Sequence, residues 1–168
     1  MQWIKDTPRL KLRLLEDSDL DDIMAFWGDE EVMKYSGGAG SLERELRAVK
    51  YYQSLQVQRG FSVYGVYGKT EQRIIGACGF NPGKADVEAE LIYHFAKAYW
   101  GQGYAAEAAK ACIDYVRETI PSLKRLTAST DPRNTASERI LLKLGFVSEG
   151  QIWQEDLRQY EPFYLFML

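Results

Sequence analysis

The sequence predicts an α/β (α+β) fold in which seven strands and about four helices form one domain, residues 1–168. Three observations support this class. Three β-rich runs follow one another with only turn residues between them, a glycine-rich loop leads into an alanine-rich amphipathic helix, and a further helix lies between an asparagine and a glycine. A chain of 168 residues buries roughly 70% of its unfolded surface, which is enough for a core without disulfides.

The first third of the chain predicts one strand and two helices. Polar and apolar residues alternate over Arg9–Leu15, as in a half-buried strand. Ser18 is expected to cap a helix, and Gly37–Gly40 form a flexible break after it. Ser41 then begins a second helix, which ends at Gly60.

The middle of the chain predicts a β-meander followed by a helix. Phe61–Tyr67, Arg73–Phe80 and Val87–Phe95 are rich in β-branched and aromatic residues, and turn residues separate them. The helix after the glycine-rich loop places small and apolar residues on one face: Ala105, Ala108, Ala109, Cys112, Ile113 and Val116. That face is expected to enter the core.

The last third predicts a fifth strand at Arg125–Thr130 and a helix that begins at Asn134 and ends at Gly145. Two closing strands follow at Phe146–Trp153 and Phe163–Leu168.

Composition narrows the classes of function. Hydrophobic residues make up 46% and charged residues 27% of the chain, and no apolar run approaches the ~20 residues of a membrane helix. A net charge of −3 disfavours a nucleic-acid partner, which needs a basic surface. Cys78 and Cys112 lack metal-ligand spacing, so we expect buried thiols and no metal. Because the first residues also lack the apolar segment of a secretory signal, we expect a cytoplasmic protein.

The run Trp100–Ala106 predicts an anion site. Gly101 and Gly103 let the backbone approach a ligand closely, and the helix after them offers unpaired N–H groups and a partial positive charge. The run also matches the dinucleotide fingerprint G-x-G-x-x-A. A dinucleotide-binding fold is disfavoured, however, because three meander strands precede the run and only one strand-helix unit follows it.

A second segment, Asn134–Ser137, lies about 30 residues further on and leads through a short helix to Lys143–Phe146. Helix capping alone could explain Asn134 and Ser137. Together with the glycine-rich loop, however, the segment resembles the paired cofactor motifs of the GNAT superfamily of N-acetyltransferases. The likeness is greatest to its ribosomal-protein N-terminal acetyltransferase-like (RimJ/RimL-type) branch.

The resemblance implies a GNAT fold: a mixed, mostly antiparallel sheet whose parallel fourth and fifth strands splay apart. Acetyl-CoA would lie in that gap with its pyrophosphate on the glycine-rich loop, and no metal would be needed. Backbone groups near His94 and Phe95 would pair with the pantetheine arm and polarise the thioester. The implied cofactor-binding residues are His94, Phe95, Trp100, Gly101, Gln102, Gly103, Tyr104, Ala105, Ala106, Asn134 and Ser137.

The resemblance also suggests catalytic residues. Leu141 stands where many family members have a tyrosine that protonates the departing thiolate, so Ser137 is the candidate for that contact. Glu90 and His94 share one face of the predicted fourth strand, and either could relay a proton from the amine through water. For both residues a structural role is the alternative.

The acceptor is predicted to be an amine, either the α-amine of a peptide or protein N-terminus or a small molecule such as a polyamine or aminoglycoside. Glu155 and Asp156 are the candidate substrate-binding residues, because this branch places an acceptor-site carboxylate just before the last strand. The span Glu16–Glu31 is acidic and lacks Lys and Arg, so it is either a solvated helix face or a surface that attracts a cationic acceptor. A sensor that binds acyl-CoA without turnover is a further alternative, and the protein is expected to be a monomer or homodimer.

Overall fold

A single mixed sheet organises the fold. The structure, a computed structural model, describes residues 2–168. Its strands are β1 (Trp3–Asp6), β2 (Leu10–Leu14), β3 (Val63–Gly68), β4 (Arg73–Pro82), β5 (Glu88–Phe95), β6 (Arg125–Ser129), β7 (Val147–Gln154) and β8 (Gln159–Met167). They lie in the order β1-β2-β3-β4-β5-β6-β8-β7, and all neighbours are antiparallel except β5 and β6.

Five α-helices cover the two faces of the sheet. They are α1 (Leu20–Met24), α2 (Glu30–Met33), α3 (Leu42–Arg59), α4 (Tyr104–Thr119) and α5 (Thr135–Leu144). One face packs on α4 and α5, where the alanine-rich side of α4 is buried as predicted. The other face packs on α1, α2 and the N-terminal half of α3.

Local signals set most helix ends. Ser41 Oγ accepts a hydrogen bond from the Arg44 N–H at 3.2 Å, and Asn134 Oδ1 accepts one from the Ser137 N–H at 3.2 Å. Both are N-cap contacts, as the sequence predicted. Gly60 and Gly145 end α3 and α5.

Four elements differ from the sequence prediction: β1, α1, α2 and β8, which begins at Gln159 rather than at Phe163. The sheet has an eighth strand, because the four-residue β1 pairs with β2 at the edge. Ser18 does not cap the first helix; instead the buried Asp19 carboxylate accepts hydrogen bonds from Arg13 and from the Glu16 N–H. That helix is also short, and Asp29 caps a separate second helix, α2.

The two parallel strands part after three residue pairs. Glu88, Ala89 and Glu90 of β5 pair with β6 residues 125–127, and the pairing then stops. Beyond that point β5 remains paired with β4 as far as Phe95, and β6 remains paired with β8 as far as Ser129. The predicted splay is therefore confirmed, and it leaves two facing strand edges with unpaired backbone groups.

Candidate active site

The glycine-rich loop fits a phosphate group. Gly101 and Gly103 have φ values of 73° and 81°, in the left-handed region that favours glycine. A Cβ atom on Gly101 would meet nothing within 4 Å, so the space beside the loop is open. Gly103 is the N-cap of α4 and has no side chain to occupy the first N–H groups of the helix. Those N–H groups are left for an anionic ligand.

Arg9, the residue before β2, stabilises this loop. Its Nη1 donates to the Gln102 carbonyl at 2.8 Å, and its Nε donates to Glu107 Oε2 at 2.7 Å. The guanidinium also lies 4.3 Å from the centroid of the Tyr104 ring. These contacts join residues more than 90 positions apart and hold the loop in shape before a ligand arrives.

The alternation of β5 decides which backbone groups face the gap. The Ala96 N–H donates to Ile75 on β4 at 3.0 Å, so His94, two residues earlier, also points its backbone towards β4. Phe95 and Tyr93 point theirs the other way, towards β6. Trp100 Nε1 donates to the Phe95 carbonyl at 2.8 Å, which ties the end of β5 to the loop. Of the two backbone positions implied by the resemblance, Phe95 therefore faces the gap and His94 does not.

Ser137 lies in the first turn of α5, where its hydroxyl is 2.8 Å from the Tyr93 hydroxyl. Burial raises the pKa of Tyr93, so this phenol keeps its proton at neutral pH. Leu141, one turn further along α5, is buried in the core. The sequence pointed to Ser137 but gave no sign of Tyr93, which appeared as one aromatic residue in a strand.

Two side chains that follow α1 and α2, Trp27 and Ser36, contact the His94 ring. Trp27 Nε1, which can only donate, gives its hydrogen bond to His94 Nδ1 at 3.1 Å. In the neutral ring His94 Nε2 then carries the proton, and it lies 3.1 Å from Ser36 Oγ. Burial lowers the pKa of His94 to about 4. The ring is therefore neutral, and its one acceptor nitrogen is already occupied.

Carboxylates gather where β5 and β6 part, on the face that carries α1 and α2. Glu90 lies at the last β5–β6 pair, and Glu161 on β8 and Asp131 after β6 are each 4% exposed. Gln159 Nε2 joins the latter two, donating to Asp131 at 2.9 Å and to Glu161 at 3.0 Å. We call Glu90, Glu161 and Asp131 the carboxylate cluster.

The pKa values of the carboxylate cluster are shifted in different directions. Burial and then the Glu161 charge raise the pKa of Glu90, and burial raises the pKa of Glu161. Arg133 donates three hydrogen bonds to Asp131, one from its backbone N–H and two from its guanidinium, and holds the pKa of that carboxyl well below its usual range. Asp131 is therefore an ionised carboxylate whose charge is paired with Arg133. Glu90 and Glu161 are the groups that can take up a proton or face a cation.

The other acidic residues singled out in the sequence lie elsewhere or are already paired. Glu155 and Asp156 are exposed at the tip of the β7–β8 hairpin, and Glu155 accepts a hydrogen bond from Trp153. Five of the eight acidic residues in the span Glu16–Glu31 are engaged within the fold. Asp29 caps α2, and four others form the pairs Asp17–Lys50, Asp19–Arg13, Asp22–Arg73 and Glu31–Lys97. The span is therefore mainly structural, and the carboxylate cluster is the negative surface beside the gap.

The two thiols are buried in the core. Cys78 and Cys112 are both buried and unbonded, and their Sγ atoms are 3.8 Å apart between β4 and α4. In residues 2–168, no group of three or more His, Cys, Asp or Glu side chains is placed to hold a metal ion. Over the same range, no helix has the length and apolar character needed to cross a membrane.

Comparisons with known proteins agree with this geometry. A profile of the acetyltransferase (GNAT) domain matches residues 9–147. The uncharacterised N-acetyltransferase p20 of Bacillus licheniformis is 32% identical over 158 residues, which cover 92% of this chain and 85% of the relative.

Solved structures share the whole fold. An acetyltransferase (GNAT family) from Bacillus anthracis is 26% identical with a TM-score of 0.85, covering 99% of this chain and 98% of that one. A RimL ribosomal L7/L12 α-N-protein acetyltransferase in complex with coenzyme A is 18% identical with a TM-score of 0.83, covering 99% and 98%. The predicted enzyme class, N-acetyltransferase, is confirmed, and the chain belongs to the GNAT family of acetyltransferases.

Proposed function

We propose that this N-acetyltransferase transfers the acetyl group of acetyl-CoA to the α-amine of a peptide or protein N-terminus, by direct attack in a ternary complex. The observation that carries the proposal is the gap between β5 and β6, which begins at Glu90 and lies between the glycine-rich loop and the start of α5. The gap leads from a phosphate-binding loop to the carboxylate cluster. It therefore suits a cofactor on one side and an amine on the other.

The chain's own residues would hold the cofactor along this path. The N–H groups of Gly101–Ala106 would bind the pyrophosphate. The Tyr93 backbone and the Phe95 N–H, on the free edge of β5, would pair with the pantetheine amides. When bound, acetyl-CoA supplies the activated acetyl group. A backbone N–H at the end of β5 would stabilise the negative charge that develops on the carbonyl oxygen.

In the transfer, the amine nitrogen bonds to the acetyl carbon, the carbon–sulfur bond breaks, and the amine loses a proton. Ser137 would donate to the departing thiolate. Glu90 would take the amine proton through water, because its raised pKa makes it a better base than an exposed carboxylate. We assign His94 a positioning role, since its acceptor nitrogen is held by Trp27. Neither cysteine is placed to carry the acetyl group.

Energetics favour an α-amine. At pH 7, deprotonation of a lysine-like amine with a pKa near 10.4 costs about 4.6 kcal/mol, whereas deprotonation of an α-amine with a pKa near 7.8 costs about 1 kcal/mol. A single half-buried glutamate, Glu90, suffices for the deprotonation of an α-amine. The same negative surface would attract the cationic form of the acceptor before it reacts. The RimL fold neighbour, named as an α-N-protein acetyltransferase, is consistent with this acceptor. Glu155 and Asp156 would then contact only the outer part of a peptide.

Glu90→Gln should lower kcat about fivefold, the equivalent of roughly 1 kcal/mol, because it removes the base but keeps the size of the side chain. The base acts when ionised, so the wild-type rate should fall as the pH drops through a pKa that lies above the ordinary glutamate range. That step should vanish in the variant, which would retain only the titration of the amine itself. Glu149→Gln, at an exposed position on β7, is the matched control. A pH–rate profile shared by wild type and Glu90→Gln would exclude Glu90 as the base.

A panel of acceptors tests the proposed function. Release of CoA from acetyl-CoA should be fastest with peptides that have free N-termini, and peptides with blocked N-termini should be inert. Spermine and aminoglycosides are the second class of acceptor, because the carboxylate cluster would also bind polycations. If kcat/KM for spermine exceeds that for every peptide by tenfold or more, the acceptor is a small amine. If no amine raises CoA release above the blank, the protein is an acyl-CoA sensor.

A further inference from the structure

The hydroxyl pair of Tyr93 and Ser137 bridges β5 and α5. Tyr93 Oη lies 2.8 Å from Ser137 Oγ and 3.1 Å from the Ser137 carbonyl oxygen. The two residues are 44 positions apart and come from the two sides of the gap. Their contact therefore fixes the Ser137 side chain relative to the strand on which the cofactor would lie.

Each hydroxyl has one proton, so the pair has two arrangements. In the first, Tyr93 donates to the Ser137 carbonyl and Ser137 donates to Tyr93, which leaves Ser137 without a free proton. In the second, Tyr93 donates to Ser137 Oγ and the Ser137 proton is free for another acceptor. A thioester sulfur is a weak acceptor, whereas a thiolate is charged and strong. Formation of a thiolate near Ser137 would therefore select the second arrangement.

We propose that Tyr93 is a positioning residue that donates to Ser137 Oγ and so directs the Ser137 proton to the departing thiolate. The inference rests on the proposed use of acetyl-CoA. It adds Tyr93 to Ser137 as a residue that acts on the departing thiolate. Two hydrogen bonds in series polarise each other, so Ser137 becomes a better donor than an isolated serine. Tyr93 retains its proton throughout, and the free thiol forms when solvent protonates the departing sulfur.

The thiol acidity of bound CoA tests this inference without acetyl transfer. The thiolate is followed by its ultraviolet absorbance while the pH of the CoA complex is raised. Tyr93→Phe, which removes only the hydroxyl, should lower the acid constant of the bound thiol three- to tenfold with CoA affinity within twofold of wild type. Ser137→Ala should lower it ten- to a hundredfold. In the Ser137→Ala background, Tyr93→Phe should cause no further change.

Tyr164→Phe is the matched control. It removes the hydroxyl of another buried tyrosine next to α5, one that lies beside Glu138 rather than Ser137. It should leave the thiol acidity unchanged, and melting curves should show that each variant is folded. The positioning role would be overturned if Tyr93→Phe left the acidity of the bound thiol unchanged, or if it changed that acidity equally in the presence and absence of the Ser137 hydroxyl.

The same titration separates this inference from the proposed function. If wild-type protein does not bind CoA, the proposed cofactor is wrong. If CoA binds and acetyl transfer proceeds while Tyr93→Phe leaves the thiol unchanged, only the role of Tyr93 is wrong.

Discussion

Gly103→Val should abolish acetyl-CoA binding while the protein remains folded. Gly103 is the left-handed N-cap of α4, and a branched side chain there would occupy the space that a phosphate must enter. The added Cβ itself would lie 3.4 Å from Arg9 Nη2, an ordinary van der Waals contact, so it would not displace Arg9. The expected loss is complete, because the N–H groups that Gly103 leaves free at the start of α4 form the proposed phosphate site.

A second variant must separate the backbone strain of Gly103→Val from the loss of the phosphate site. A side chain in the left-handed region costs roughly 1–2 kcal/mol, which a domain with about 5–15 kcal/mol of stability withstands. Gly150 has a similar φ of 89° and nothing within 4 Å of an added Cβ, but it lies on β7. Gly150→Val should therefore lower the melting temperature comparably and leave CoA affinity intact. Equal calorimetric affinities for wild type and folded Gly103→Val would refute the loop as the phosphate site.

Ser137→Ala should lower kcat about ten- to a hundredfold with little change in acetyl-CoA affinity. A hydrogen bond to a charged group contributes roughly 1.5–3 kcal/mol, and this one forms only as the thiolate departs. Thr135→Ala, which removes an exposed hydroxyl from the same turn of α5, is the matched control and should have no such effect. A kcat within twofold of wild type would reduce Ser137 to a structural residue.

Leu141→Tyr would restore the tyrosine that many family members have on this helix, but the structure argues against it as a rescue of Ser137→Ala. Leu141 is only 1% exposed and packs in the main core. Larger side chains in a packed core typically cost about 1–3 kcal/mol. Loss of stability would mask any gain in proton donation.

The elements that the sequence predicted well have local causes. Ser41 and Asn134 cap their helices through bonds to residues three positions away, and the alanine-rich face of α4 follows from a 3.6-residue period. The misplaced elements depend on distant partners. The four residues of β1 are too few to show a pattern, and the Asp19 carboxylate, which accepts from the Glu16 N–H in the turn before α1, is also held by Arg13 on the preceding strand.

In the candidate site, too, the residues with a local signal were predictable from the sequence and those that depend on distant contacts were not. The glycine-rich loop was visible because glycines before a helix have a direct physical meaning. Tyr93 and Arg9 were missed because their roles come from contacts 44 and more than 90 residues away in sequence. Glu161 offered one usable signal, a lone carboxylate just before an apolar and aromatic run, although the predicted last strand begins only at Phe163. Such a residue is rarely buried unless paired or functional.

The site of acetylation tests the central claim most directly. A peptide with a free α-amine and one lysine is incubated with the enzyme and acetyl-CoA, and the product is fragmented in a mass spectrometer. The proposed function predicts one acetyl group, on the first residue, and no reaction with the same peptide when its N-terminus is blocked. Acetylation of the lysine side chain, or CoA binding without transfer to the α-amine of any peptide tried, would contradict it.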